Sequence, residues 1–94
     1  MENTTEKVII SVVGKDAVGI IAKVCTYLSG CGVNVLDISQ TIVSGFFNMM
    51  MVADIAKARK PFATISADLD ALGKQIGVMI HCQREEIFEK MHRI

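Results

Sequence analysis

Hydrophobic and polar residues along the chain recur at spacings that predict four strands and two main helices. The first segment is β-branched and nearly continuous, two later segments alternate with a period of two, and two others carry apolar stripes at helical spacing. The predicted elements are a strand over 7–13, a helix from residue 16 to about residue 31, strands over 33–43 and 46–55, a helix over 61–76 and a strand over 78–83.

Turn residues separate these elements and fix their order. Ser44 and Gly45 join the two alternating segments into an antiparallel hairpin, Pro61 opens the second helix and Gly77 ends it. Right-handed crossovers then place both helices on one face of a four-stranded antiparallel sheet, an α+β, ferredoxin-like βαββαβ sandwich.

The second face of such a sheet has no helix to cover it. Period two predicts that this face carries a mixture of polar and apolar side chains. Its expected members are Ser11, Val13, Val35, Phe46, Asn48, Met50, His81 and Gln83.

The final segment, 84–94, reads REEIFEKMHRI and can form a short C-terminal helix with Ile87, Phe88 and Met91 on one side. This helix can cover an edge of its own sheet or exchange onto a neighbouring protomer. The uncovered sheet face favours a role in an oligomer interface.

Composition limits the classes of protein that the chain can belong to. Its 94 residues suit a single domain, with a βαββαβ core over 6–83, and 51% of them are hydrophobic. That apolar share favours a homo-oligomer, of which a dimer is the simplest. Ten basic residues balance ten acidic ones, so no general attraction to nucleic acid or to an anionic membrane is expected.

The polar N-terminus, the lack of a long apolar run and the cysteines of the chain indicate a cytoplasmic protein. The N-terminus is polar, and no apolar run approaches the roughly 18 residues that a membrane span needs. The three cysteines form no CxxC motif, so neither a disulfide framework nor a zinc knuckle is expected.

The turn GKDAVG, residues 14–19, leads directly from the first strand into the first helix. It can bind a phosphate, bind a small carboxylated ligand, or only cap the helix. A phosphate loop needs Lys and Ser or Thr after its last glycine, but Ile20 and Ile21 stand there. Asp16 would also repel phosphate, so the turn does not fit a phosphate loop.

A small carboxylated ligand suits this turn better. Gly19 allows close approach to the backbone, the helix N-terminus attracts a carboxylate, and Asp16 can receive an ammonium group. An α-amino acid carries both groups, and Asn34 adds an amide that donates and accepts. Alternatively, Asp16 only caps the helix, Gly19 only eases helix–sheet packing and Asn34 only shapes a turn; the residues alone leave both interpretations open.

Other reactive side chains do not form a convincing catalytic or metal site. Cys25 and His81 could pair as thiolate and imidazole, but a helix-borne Cys25 is better explained as a core residue. His81 and Cys82 project to opposite faces of a strand, and His92 lies on the tail. We therefore expect no catalytic residue, no metal ligand and no cofactor.

The segments GKDAVGIIAKV, GVNVLDISQT and GFFNMMMVADI resemble an ACT domain. The whole chain, with its tail, resembles small stand-alone ACT-domain proteins, which are similar to the ACT modules of the glycine cleavage system repressor and of formyltetrahydrofolate deformylase. The resemblance implies a non-catalytic regulatory module that dimerises and binds an amino acid between domains.

The resemblance also implies which residues bind the ligand. The first strand–helix loop of one domain contributes Asp16, Ala17, Val18, Gly19 and Ile20, and the second strand of the neighbouring domain contributes Asn34. The alternative prediction is a protein–protein interaction module without a small-molecule ligand.

Overall fold

The computed structural model describes residues 6–15 and 17–85, and its elements follow the predicted order. The strands pair in the order β2-β3-β1-β4, with every neighbouring pair antiparallel. This confirms the ferredoxin-like arrangement. The elements are β1 (Lys7–Gly14), α1 (Ala17–Cys31), β2 (Asn34–Val43), β3 (Phe46–Asp54), α2 (Phe62–Ile76) and β4 (Met79–Arg84). The predicted C-terminal helix lies outside the described residues from residue 86 onward.

The hydrophobic core lies between one face of the sheet and both helices. Alternate residues of β1 and β3 point into it, with Ile10 and Met51 fully buried, and they meet Leu28 of α1 and Leu69 of α2. No polar or charged side chain is buried in the described part of the chain. Removal of apolar surface from water is therefore the main stabilising contribution of this core.

The predicted turns have the backbone conformations that their residues favour. Ser44 and Gly45 both have positive φ, 52° and 82°, as in the tight type I′ turn that matches the twist of a hairpin. Gly77 has φ 78° and caps the C-terminus of α2. Pro61 is the N-cap of α2, one residue before the helix itself, and its carbonyl accepts the N–H of Ile65 over 3.0 Å.

One expectation about the uncovered face is wrong. Val35 lies opposite Ala53 on the helix side of the sheet, because β2 has a bulge between Val35 and Asp37. The extra residue, Leu36, reverses the alternation of the strand at that point. The other expected members do share the uncovered face: Ser11 lies between Met50 and His81, and Val13 pairs with Asn48.

Candidate functional site

The β1–α1 turn lies where β1 ends at Gly14 and α1 begins at Ala17. Four backbone N–H groups at the start of a helix have no partner within it and carry partial positive charge. The first turn of α1 contains no acidic residue to offset that charge. Ala17 and Val18 belong to this first turn, whereas Asp16 lies outside the described residues.

A cavity of about 260 Å³, which we call the helix-side cavity, opens beside this turn. One wall comes from the start of α1 and the preceding loop, through Lys15, Gly19, Ile20 and Lys23. The other wall is the junction between α2 and β4: Ile76, Gly77 and Val78. Two lysines and a helix N-terminus therefore border a single small space, which suits an anionic group.

Gly19 faces open space rather than a packed neighbour. Among the described residues, a β-carbon built on Gly19 would meet no atom within 4 Å beyond its chain neighbours and the backbone of its own helix, although Gly19 lies at the start of a helix that packs on the sheet. Helix–sheet packing therefore does not require a glycine there. Ile20, the next residue, is buried in the core, and it lines the helix-side cavity from the core side.

Asn34 lies at the opposite end of the sheet from the β1–α1 turn. It is the first residue of β2 and pairs with Asp54, which in turn pairs with Lys7 at the start of β1. The seven-residue rise from Lys7 to Gly14 spans about 23 Å. One chain therefore does not bring Asn34 to the turn, and a joint site needs Asn34 from a second copy.

A larger cavity of about 460 Å³, which we call the sheet-side cavity, lies on the other side of the same turn. It shares Lys15, Gly77 and Val78 with the helix-side cavity, so these three residues form a ridge between the two. Its remaining lining residues are Val13, Gly14, Phe46, Gly73, Lys74 and Met79.

Sequence reasoning missed two contributors to these cavities. Lys23 follows Gly19 by four residues, and that spacing places both on one side of α1, so the pattern could have revealed it. The α2–β4 junction reaches the turn only through tertiary packing, for which the sequence carries no local signal.

The alternative catalytic pair is not assembled. His81 is exposed on the uncovered face of the sheet, whereas Cys25 packs against the core on the helix side. Cys82, next to His81, is buried on the helix side, and burial raises the pKa of its thiol to about 11. The described residues hold no group of three potential metal ligands, and His92 lies outside them.

The chain belongs to the ACT domain family, whose model matches residues 6–83. A UPF0237 protein of Bifidobacterium longum is 66% identical over 88 residues, covering 94% of this chain and 98% of that protein. ACT domains are in general regulatory and ligand-binding. The resemblance seen in the turn and strand segments is thereby confirmed.

Solved structures agree with this assignment. An ACT domain protein from Streptococcus pneumoniae superposes with a TM-score of 0.79 at 37% identity, over 92% of this chain and 97% of that one. A putative glycine cleavage system transcriptional repressor (TM-score 0.74, 22% identity) and a formyltetrahydrofolate deformylase from Pseudomonas syringae (0.76, 15%) share the fold. Their matches cover 87% of this chain but only 47% and 28% of theirs.

Within the described ranges, no helix is both long and apolar enough to cross a membrane.

Proposed function

We propose that this chain is a non-catalytic, cytoplasmic regulatory domain that binds a small metabolite, most simply an amino acid, between two copies of itself. The observation that carries this proposal is the open space in front of Gly19. A glycine that packing does not require faces a small cavity with two lysines and a helix N-terminus. Such a glycine leaves room for a ligand against the backbone.

The chemistry of the cavity suits an α-carboxylate. The N-terminus of α1 and the lysine Lys23 favour a negative group at this point, and Lys15 stands on the ridge beside it. In the proposal, Asp16 receives the ammonium group of the ligand. The amide of Asn34, supplied by a second copy, closes the site.

A thermal-shift screen against the twenty amino acids tests this proposal. A ligand that binds only the folded protein stabilises it by about 2.7 kcal/mol at a hundred times its Kd. We expect at least one amino acid to raise the Tm, and Asp16→Ala or Asn34→Ala to abolish that rise. Asn48→Ala is the matched control. Asn48 is also a strand asparagine on the uncovered face, but it pairs with Val13, at the opposite end of the sheet from Asn34.

Two outcomes would contradict the proposal. If no amino acid shifts the Tm at millimolar concentration, the protein does not bind an amino acid as proposed. If the protein sediments as a 10.3 kDa monomer, no second copy is present to complete the site.

The alternative is a protein–protein interaction module without a small ligand, and the β2 edge favours it. β2 is an edge strand whose outer backbone groups have no neighbouring strand within the described sheet, and Leu36, Ile38 and Ile42 are exposed along it. Exposed edges of this kind readily add another strand. A negative amino-acid screen together with an intact oligomer would support this second function.

A further inference from the structure

The sheet-side cavity has an apolar floor that the other described residues leave exposed. Val13, Phe46 and Met79 line it and remain 38%, 44% and 60% exposed. Large apolar side chains gathered around one concavity are typical of a ligand site. Its volume of about 460 Å³ falls within the range of about 300–1,000 Å³ that small-molecule sites occupy.

Two lysines stand at the rim of this apolar floor. The Nζ atom of Lys15 lies 5.6 Å from the centroid of the Phe46 ring, which holds the ammonium group directly above the floor. Lys74 lines the opposite wall on α2. No acidic residue is among the described residues that line the cavity.

Lys74 can turn toward a bound anion at little energetic cost. Its only ion pair among the described residues is with Asp70, one turn earlier on α2, at 3.3 Å, and both side chains are largely exposed. Exposed pairs at this spacing contribute only about 0.3–0.5 kcal/mol. The ammonium group is therefore available to a better partner.

We propose that the sheet-side cavity is a second ligand site, which takes a small hydrophobic monocarboxylate. The hydrocarbon part of the ligand covers Val13, Phe46 and Met79, and its carboxylate lies between Lys15 and Lys74. Because the described lining residues include no acidic group, the cavity disfavours the added ammonium group of an amino acid. This site is separate from the proposed amino-acid site, with which it shares only the ridge of Lys15, Gly77 and Val78.

Three matched probes test the chemistry of the site. We expect 4-methylpentanoate to cause saturable shifts in the methyl NMR signals of Val13 and Met79. Its neutral analogue, 4-methylpentanamide, has the same apolar chain, and leucine is the same acid with an added ammonium group. Both should bind clearly more weakly at these methyl groups, since one lacks the charge and the other carries a cation that finds no acidic partner among the described lining residues.

Lysine variants then distinguish the two cavities. Lys74→Gln should raise the Kd of 4-methylpentanoate about two- to fivefold, the effect of one exposed ion pair. Lys23→Gln should leave it unchanged, because Lys23 lines the helix-side cavity and is not among the lining residues of the sheet-side cavity. Asp70→Asn removes the ion pair of Lys74 without removing Lys74, so its Kd should stay the same or fall.

The proposal fails if 4-methylpentanamide binds as tightly as the acid, or if no saturable shift occurs at Val13 and Met79. It also fails if Lys23→Gln weakens binding as much as Lys74→Gln does, because the ligand would then occupy the helix-side cavity. A negative amino-acid screen does not affect these measurements, so the two proposals can fail separately.

Discussion

A β-carbon on Gly14 would overlap Cγ1 of Val78, because the end of β1 lies directly against the residue that follows the C-cap of α2. The same hypothetical carbon would lie 3.0 Å from Cδ1 of Ile20, in the first turns of α1. The contact of Gly14 with Val78 thus holds the α2–β4 junction against the β1–α1 turn. Val78 lines both cavities, so this contact helps to fix the shape of each.

Gly14→Ala should therefore destabilise the fold by about 1–3 kcal/mol, the usual effect of forcing extra volume into a packed site. Val78→Ala removes the overlapping methyl group, so the double variant should be more stable than the sum of the two single effects predicts. Urea unfolding of the four proteins measures this coupling. Strictly additive effects would mean that Gly14 and Val78 do not constrain each other.

Gly19 and Gly30, the two glycines of α1 that no described residue packs against, form a matched pair for substitution. Gly19 and Gly30 each face open space, and alanine is favoured over glycine in a helix by up to about 1 kcal/mol. Gly19→Ala and Gly30→Ala should both leave the unliganded protein at least as stable as it was. Only Gly19→Ala should reduce the thermal shift given by an amino acid, because only Gly19 lines the helix-side cavity. Equal effects of the two substitutions on ligand binding would argue against the site.

Tyr27 of α1 and Asp68 of α2 join the outer sides of the two helices. The hydroxyl of Tyr27 donates a hydrogen bond of 2.6 Å to Oδ2 of Asp68, and Lys60 donates to the same oxygen over 3.0 Å. The hydroxyl of Tyr27, followed by Lys60, holds the pKa of the Asp68 carboxyl below its ordinary value. Burial, followed by the bond to Asp68, raises the pKa of Tyr27.

Tyr27→Phe should destabilise the protein by about 1 kcal/mol through loss of this bond. It should also move the pKa of Asp68 upward, toward the ordinary value, since one of the two donors is gone. Carboxyl ¹³C NMR titration measures the pKa directly. An unchanged Asp68 titration in Tyr27→Phe would show that the hydroxyl does not stabilise the carboxylate.

Asp54 makes stability depend on pH in the acid range. Its carboxylate accepts the backbone N–H groups of Glu6 and Ala56, each over 3.0 Å, and these bonds lower the pKa of Asp54. A carboxyl whose pKa is lower in the folded state stabilises the fold above its unfolded pKa of about 3.9. That contribution is lost as the pH falls through the folded pKa.

Asp54→Ala should thus destabilise the protein by about 1 kcal/mol at pH 7, and by less as the pH falls below about 4. Urea unfolding of both proteins from pH 7 to pH 3 measures the difference. Asp70→Ala is a suitable control, because Asp70 accepts no backbone bond in the described structure and pairs only with Lys74. A difference between Asp54→Ala and the parent protein that grows in acid would contradict the assignment.

The element order was predictable because apolar periodicity and turn residues agree throughout the chain. Ser44 and Gly45 mark a turn whatever the surroundings, and the alternation of β3 puts Phe47, Met49 and Met51 inward as predicted. The bulge at Leu36 was not predictable, since one inserted apolar residue in an alternating strand leaves no distinct signal in the sequence. The displacement of Val35 to the helix side follows from that bulge alone.

The candidate site was only partly predictable for a related reason. Gly19 and Ile20 could be named because they follow the strand–helix turn in the chain, and both line the helix-side cavity. Gly77 and Val78 come to the same place through the packing of α2 and β4, which no local pattern encodes. The roles of Asp16 and Asn34 in binding stay predictions.

Complementation between two variants tests the composite site most directly. Gly19→Leu fills the helix-side cavity, and Asn34→Ala removes the amide that a second copy is proposed to supply. Neither variant alone should bind the stabilising amino acid in isothermal titration calorimetry. After mixing and subunit exchange, half of the dimers are heterodimers with one intact site each, so about a quarter of the wild-type sites should return. A mixture that stays inactive, or an Asn34→Ala protein that binds normally, would contradict a site shared between two copies.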